Sequence, residues 1–295
     1  MNSGRFSKTA AYVAIKFYGL TQIELYRKLF DEEVITFYDR IVAALPLPLK
    51  RYHSFLKQAW FRSLCIFLEE SLLPGDLMHI LMRKFYISSS IDRLITQGYS
   101  QIIILGAGFD HIGVTYSRKG ISCLELDTAS VIEIKKHFLE LHAYSNSKLN
   151  SYPVNIYRTG LSDLLPGIPS IDPDARTIVI AEGFFDYLTP QKCSETLNAL
   201  THFFRSDLKF ISTVFSLEQL TSFHAFVFEN AVKAVGEKLQ LHASIEEFRN
   251  ILMKNNFQIK HILQNNEMYN ENNVLKNSNL AILPGFYLLE AGKSK

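Results

Sequence analysis

Gly106, Gly108 and Asp127 have the types and the spacing of a ligand-binding corner. The run Ile102-Ile103-Ile104-Leu105 is four apolar residues, three of them β-branched. Such a run predicts a strand buried on both faces. It ends in Gly106-Ala107-Gly108, where glycine lets the backbone turn and leaves no Cβ in a ligand's way. A second apolar run, Ile121-Ser122-Cys123-Leu124, ends in Glu125-Leu126-Asp127, and Asp127 follows Gly106 by 21 residues. At about that distance a nucleotide-binding βαβ unit presents a carboxylate to ribose hydroxyls.

The dinucleotide fingerprint G-x-G-x-x-G has a third glycine, which serves close helix packing and approach to a pyrophosphate. This chain has His111 there. A nucleoside ligand without phosphates does not need that approach, and S-adenosyl-L-methionine is such a ligand.

Further acids fall beyond other strands. Thr177-Ile178-Val179-Ile180-Ala181 ends in Glu182-Gly183, and Asp163-Leu164 follows a third expected strand, Val154-Asn155-Ile156-Tyr157. In an open α/β sheet, ligands sit beyond the carboxyl ends of the central strands. Three carboxylates and a glycine loop are thus expected on one edge. Taken alone, Asp163 reads equally well as a helix cap or turn residue.

These elements need a scaffold. The chain has 295 residues, 47% hydrophobic and 20% charged, with a net charge of +2. That is a globular composition. Its charge balance does not predict a nucleic-acid groove or an anionic membrane surface as partner. Cys65, Cys123 and Cys193 are scattered, without CxxC, so neither a disulfide framework nor a metal site is expected. Met1 to Lys8 carry no apolar signal run, and no stretch reaches the roughly 20 apolar residues of a membrane span. A cytoplasmic location is the expectation.

Residues 1–95 read as helical: one helix opens at Ala10-Ala11-Tyr12, and others run Glu32–Leu45, His53–Leu73 and Asp76–Gln97. Proline or glycine follows each of the last three. From Ser100 onward strands and helices alternate, which predicts a doubly wound α/β fold. Further strands are expected at Leu208–Phe215, Phe257–His261 and Phe286–Glu290, giving seven. Helices are expected at Asp127–Tyr144, Pro190–Phe204, Leu217–Gly236 and Ser244–Asn255, the last opening with a capping box. The asparagine-rich stretch Gln264–Asn279 is expected to be a loop.

As a set, Ile104-Leu105-Gly106-Ala107-Gly108-Phe109-Asp110, Leu124-Glu125-Leu126-Asp127, and Ala181-Glu182-Gly183 followed by Tyr187-Leu188-Thr189-Pro190 resemble the leucine carboxyl methyltransferase family of S-adenosylmethionine-dependent O-methyltransferases. Arg83, in Leu81-Met82-Arg83-Lys84-Phe85, joins the pattern. The resemblance spans about residues 80–200. It implies a Rossmann-like class I methyltransferase: a seven-stranded, mainly parallel sheet with its last strand antiparallel. Residues 1–95 would form a helical cap on the substrate side, and residues 96–295 the cofactor-binding domain.

For the cofactor the resemblance implies Gly106 and Gly108 at the loop, Asp127 on the ribose, and Asp163 with Leu164 beside the adenine. It places Glu182 near the methionine part, with Arg83 on its carboxylate, a task suited to a bidentate guanidinium. Lys8 matches a basic residue of the N-terminal arm. The family commonly reads leucine-aspartate-threonine-arginine after Gly-x-Gly, and here the residues are Phe109-Asp110-His111-Ile112.

The implied reaction is O-methylation of a carboxylate or hydroxyl, on a small molecule or a protein C-terminus. A carboxylate acceptor is ionised at pH 7 and needs no general base; a hydroxyl needs one. Candidate catalytic residues are Arg83, Tyr187 and His111, with His224 a further base by type alone. Phe184, Phe185 and Tyr187 suit either a pocket wall or the core. Two other functions fit the same residues: a nicotinamide-dependent oxidoreductase, disfavoured by His111, and a cofactor-binding regulatory protein without turnover.

Overall fold

The computed structural model describes residues 7–294; of the stretch Met1–Lys8, residues 1–6 lie outside the described residues. Six helices come first: α1 (Lys8–Thr21), α2 (Glu24–Arg27), α3 (Glu32–Ala44), α4 (Arg51–Phe55), α5 (Ala59–Leu72) and α6 (Asp76–Thr96). There follow β1 (Gln101–Leu105), α7 (Ile112–Arg118), β2 (Ser122–Asp127), α8 (Ala129–Leu141), β3 (Leu149–Pro153), α9 (Leu161–Leu164), β4 (Thr177–Ala181), α10 (Pro190–Phe203) and β5 (Leu208–Phe215). The chain closes with α11 (Ser222–Ala234), α12 (Ile245–Lys254), β6 (Phe257–Gln264), α13 (Asn265–Glu271) and β7 (Phe286–Lys293).

The sheet order is β3-β2-β1-β4-β5-β7-β6. The first five strands in chain order pair in parallel, and β7 runs antiparallel to both β5 and β6. This is the expected seven-stranded Rossmann-like sheet. The order reverses at β1 and β4, which places a ligand crevice beyond their carboxyl ends.

Alternation along the central strands feeds two cores. Ile102, Ile104, Ile178 and Ile180 pack with residues of α1, α3, α6 and α8. Ile103, Leu105, Val179 and Ala181 pack on the other side with α10 and α12. Helix α6 brings Ile87, Ile91 and Leu94 into the first core, all fully buried. Each contributes about 1.5–3 kcal/mol, so α6 is welded to the sheet.

Four expectations need correction. The third strand is Leu149–Pro153, and Val154–Tyr157 is irregular backbone. It is an edge strand paired only with β2, so it lacks the apolar run of a central strand. The single helix His53–Leu73 is two, because Leu56 turns into the core and its carbonyl accepts from Arg62 Nη1 at 2.8 Å. The segment Leu217–Gly236 holds a 3-10 turn, and its α-helix begins only after Thr221, whose side chain caps His224 N–H. Gln264–Asn279 is not a plain loop: Gln264 and Glu267 form a capping box that starts α13, which buries Met268.

Candidate functional site

The crevice is a cavity of about 300 Å³ beyond the carboxyl ends of β1 and β4. Its floor is the glycine loop. Gly106 and Gly108 have φ of 67° and 46°, the left-handed region. A Cβ on Gly106 would stand 2.9 Å from the Phe184 ring, and one on Gly108 would stand 3.3 Å from Ala10 Cβ. Both the dihedral and the close approach therefore require glycine here.

Asp127 closes one side. Its Oδ2 accepts the Gly108 N–H at 2.7 Å, and its Oδ1 accepts the Thr128 N–H at 2.6 Å. Burial raises its pKa above the usual carboxylate value, against the pull of these amides. The carboxylate is fixed in place and keeps lone pairs for a diol.

A chain of charged side chains closes the other side. Asp76, His79 and Arg83 lie on one face of α6, three and four residues apart. Lys16 Nζ reaches Asp76 at 2.8 Å, Asp76 meets His79 at 3.4 Å, and His79 Nε2 lies 3.3 Å from Arg83 Nη1. Arg83 Nε stands 2.8 Å from Glu182 Oε1. The N–H points off that line, so this buried nitrogen has no hydrogen-bond acceptor. Lys84 Nζ holds the Glu182 carboxylate at 2.9 Å and also pairs with Asp110. Burial works to raise the Asp110 carboxyl, but the Lys84 ammonium outweighs it and holds it well below the usual range. Tyr38 donates to Asp110 at 3.2 Å.

Of the residues singled out from sequence, Arg83, Gly106, Gly108, Asp127, Glu182 and Tyr187 line this one cavity. Phe184 lines it too, while Phe185 is fully buried in the second core. Asp163, Leu164 and His111 are not in its lining. Asp163 is exposed on α9, two residues past the lining residue Leu161, and Leu164 packs against the second core. His111 is 2% exposed, beside Tyr38, and burial lowers its pKa, which keeps it neutral at pH 7. Lys8 and His224 also lie off the lining. Tyr187 has its pKa raised by burial and by Glu237, so its phenol stays protonated and can donate.

The sequence reading missed Tyr38, Lys84, Asn155, Tyr157 and Glu237, all in the lining. Lys84 adjoins Arg83, so its neighbour was its signal. Tyr38 and Glu237 come from distant segments and carry no motif. Burial raises the Glu237 carboxyl, and Ser7 donates to it at 3.2 Å.

The donor set suits a nucleoside bearing an amino-acid tail. The glycine cradle admits backbone-close approach, Asp127 suits a ribose diol, and the orphaned Arg83 N–H beside Glu182 suits a carboxylate and an ammonium. No cluster of three or more metal-ligating side chains occurs among the described residues. No helix among them is long and apolar enough to cross a membrane.

Comparison with known proteins agrees with this geometry. The model of the leucine carboxyl methyltransferase family matches residues 57–201, a span holding all the sequence-predicted site residues except Lys8 and His224. No curated protein matches the chain. A DUF574 family protein from Streptomyces avermitilis aligns with a TM-score of 0.60 at 10% identity, covering 80% of this chain and 91% of its own. A Thermobifida fusca protein, provisionally described as a methyltransferase, aligns with a TM-score of 0.59 at 13% identity, covering 87% of this chain and 94% of its own. At such identities the likeness establishes the fold.

Proposed function

We propose, from the match of residues 57–201 to the leucine carboxyl methyltransferase family, that this S-adenosylmethionine-dependent methyltransferase acts on oxygen, and that its acceptor is a carboxylate of a small molecule or a protein C-terminus. S-adenosylmethionine supplies a methyl group already activated on a sulfonium. The protein's task is then alignment, which supplies much of the rate in a displacement.

Each lining residue has a part in that reading. Asp127 takes the ribose hydroxyls, with its oxygens oriented by the Gly108 and Thr128 amides. Arg83 holds the methionine carboxylate and Glu182 the ammonium. Lys84 holds Glu182 in place. The adenine lies along Val154 to Leu161, beside Asp163 and Leu164 rather than on them. Tyr187 donates to the acceptor. Residues 1–95 serve as the substrate-side cap and 96–295 as the cofactor-binding part; Ala10, Tyr38 and Arg83 on the cavity wall support that division. The location proposed is cytoplasmic.

The observation that carries the carboxylate reading is that no histidine among the described residues lines the cavity. His111 would have to leave its buried place to serve as a base. One observation favours a hydroxyl acceptor instead: Glu237 lines the cavity with a raised pKa, the state of a carboxylate ready to take a proton. A transfer screen with methyl-labelled cofactor against carboxylic acids and hydroxylated metabolites separates the two. Products that release label in mild base are esters and support the proposal. Stable ethers, lost in Glu237→Gln, would replace it with the hydroxyl reading.

A further inference from the structure

The outer face of α5 is an apolar stripe that none of the described residues covers. Trp60, Leu64, Phe67, Leu68 and Leu72 are 68%, 44%, 66%, 50% and 54% exposed. Their spacing, i, i+4, i+7, i+8 and i+12, is that of one helix face. Phe55 and Leu47, just before the helix, are exposed as well. The inner face accounts for the helix's own attachment: Phe61, Cys65 and Ile66 pack against the core. A monomer of this size rarely leaves so many large apolar side chains in one patch.

The charges around the stripe are segregated. Both acids of α5 point inward and are engaged. Glu69 pairs with Lys16, and Glu70 accepts the backbone N–H groups of Gly75 and Ala281. The exposed charges leading into the helix are cations, Lys50, Arg51 and Lys57. Lys57 is shared with Asp39 at 3.5 Å, and Lys50 and Arg51 make no ion pair among the described residues. Trp60 lies at this cationic end. An apolar stripe with an indole and cations at one end has the composition of a helix lying in a lipid–water interface. The near-neutral charge of the whole chain conceals this local separation.

We infer that α5, with the Lys50–Lys57 segment, docks this protein on a bilayer surface bearing anionic phospholipid. The stripe enters the boundary between headgroups and acyl chains while Lys50 and Arg51 meet lipid phosphates. The charge segregation selects this occupant over a second copy of the chain, which would meet Lys50 and Arg51 with no acid from the same helix face.

Trp60 is the chain's one tryptophan, so its fluorescence reports directly on the stripe. The full-length protein is titrated with vesicles of phosphatidylcholine alone and of equal parts phosphatidylcholine and phosphatidylglycerol, following emission and co-sedimentation. The expected result is a blue shift and sedimentation with the anionic vesicles, both reduced by high salt. Lys50→Gln and Arg51→Gln should each weaken binding by about fivefold. Leu64→Ser with Phe67→Ser should abolish it while S-adenosylhomocysteine binding is kept, which shows that the variant is folded. No response to either vesicle would overturn the inference. So would a blue shift in lipid-free protein that tracks dimer formation in sedimentation velocity, which would assign the stripe to a second copy.

Discussion

Asp127 Oδ2 accepts the backbone N–H of Gly108 at 2.7 Å across 19 residues of chain. That bond ties the end of β2 to the loop after β1, so the acid proposed for the ribose also shapes the glycine cradle. Asp127→Ala should therefore lose both a charged hydrogen-bond partner for the ligand and a brace for the loop. We expect S-adenosylhomocysteine affinity to fall by about 1–3 kcal/mol. Asp127→Asn, which keeps one carbonyl acceptor for the amide, should lose less. Equal losses in the two variants would mean that the brace contributes nothing.

Asp186 predicts a pH dependence of stability. Burial lifts its carboxyl to about 7, against the Phe215 N–H, which donates at 3.3 Å, and the nearby Arg83. A folded-state pKa above the unfolded one means that the native state binds the extra proton. The stabilisation is complete below about pH 4, where both states are protonated relative to their own pKa or nearly so. It is lost as pH rises through about 7. Asp186→Asn should flatten this part of the profile and be more stable than the parent at pH 8. Denaturant midpoints measured across that range check it, and parallel profiles would refute it.

Glu125 and Lys135 form a fully buried pair at 2.7 Å, with Ser151 donating to the same carboxylate at 3.1 Å. Removing one partner strands a charge in the core. Lys135→Met should cost about 3–5 kcal/mol, whereas pairing it with Glu125→Leu should recover most of the loss. Urea unfolding of the two variants measures this. Gly113 makes room for this pair: a Cβ there would collide with Glu125 Oε1.

The parts legible in the sequence were those that local physics dictates. A buried strand must be apolar, and its exit beside a ligand must be glycine, so β1, Gly106, Gly108 and Asp127 announce themselves. The edge strand β3 did not, because Leu149–Pro153 has one neighbour and no need of an apolar run. Helix α13 hid in an asparagine-rich stretch whose cap is a glutamine, Gln264, rather than serine or aspartate. The site residues Tyr38, Lys84 and Glu237 converge only through tertiary packing of α3, α6 and the chain after α11. His111 differs in the other direction. Its position beside the loop suggested chemistry, but its ring is buried behind the lining residues Tyr38 and Asp110 and does not itself line the cavity.

Calorimetric titration of the purified protein with S-adenosylhomocysteine and, separately, with NAD tests the identity of the cofactor most directly. We expect saturable one-to-one binding of S-adenosylhomocysteine, weakened in Asp127→Ala, and no heat of binding with NAD. Binding of NAD with none of S-adenosylhomocysteine would contradict it and return the crevice to nicotinamide chemistry.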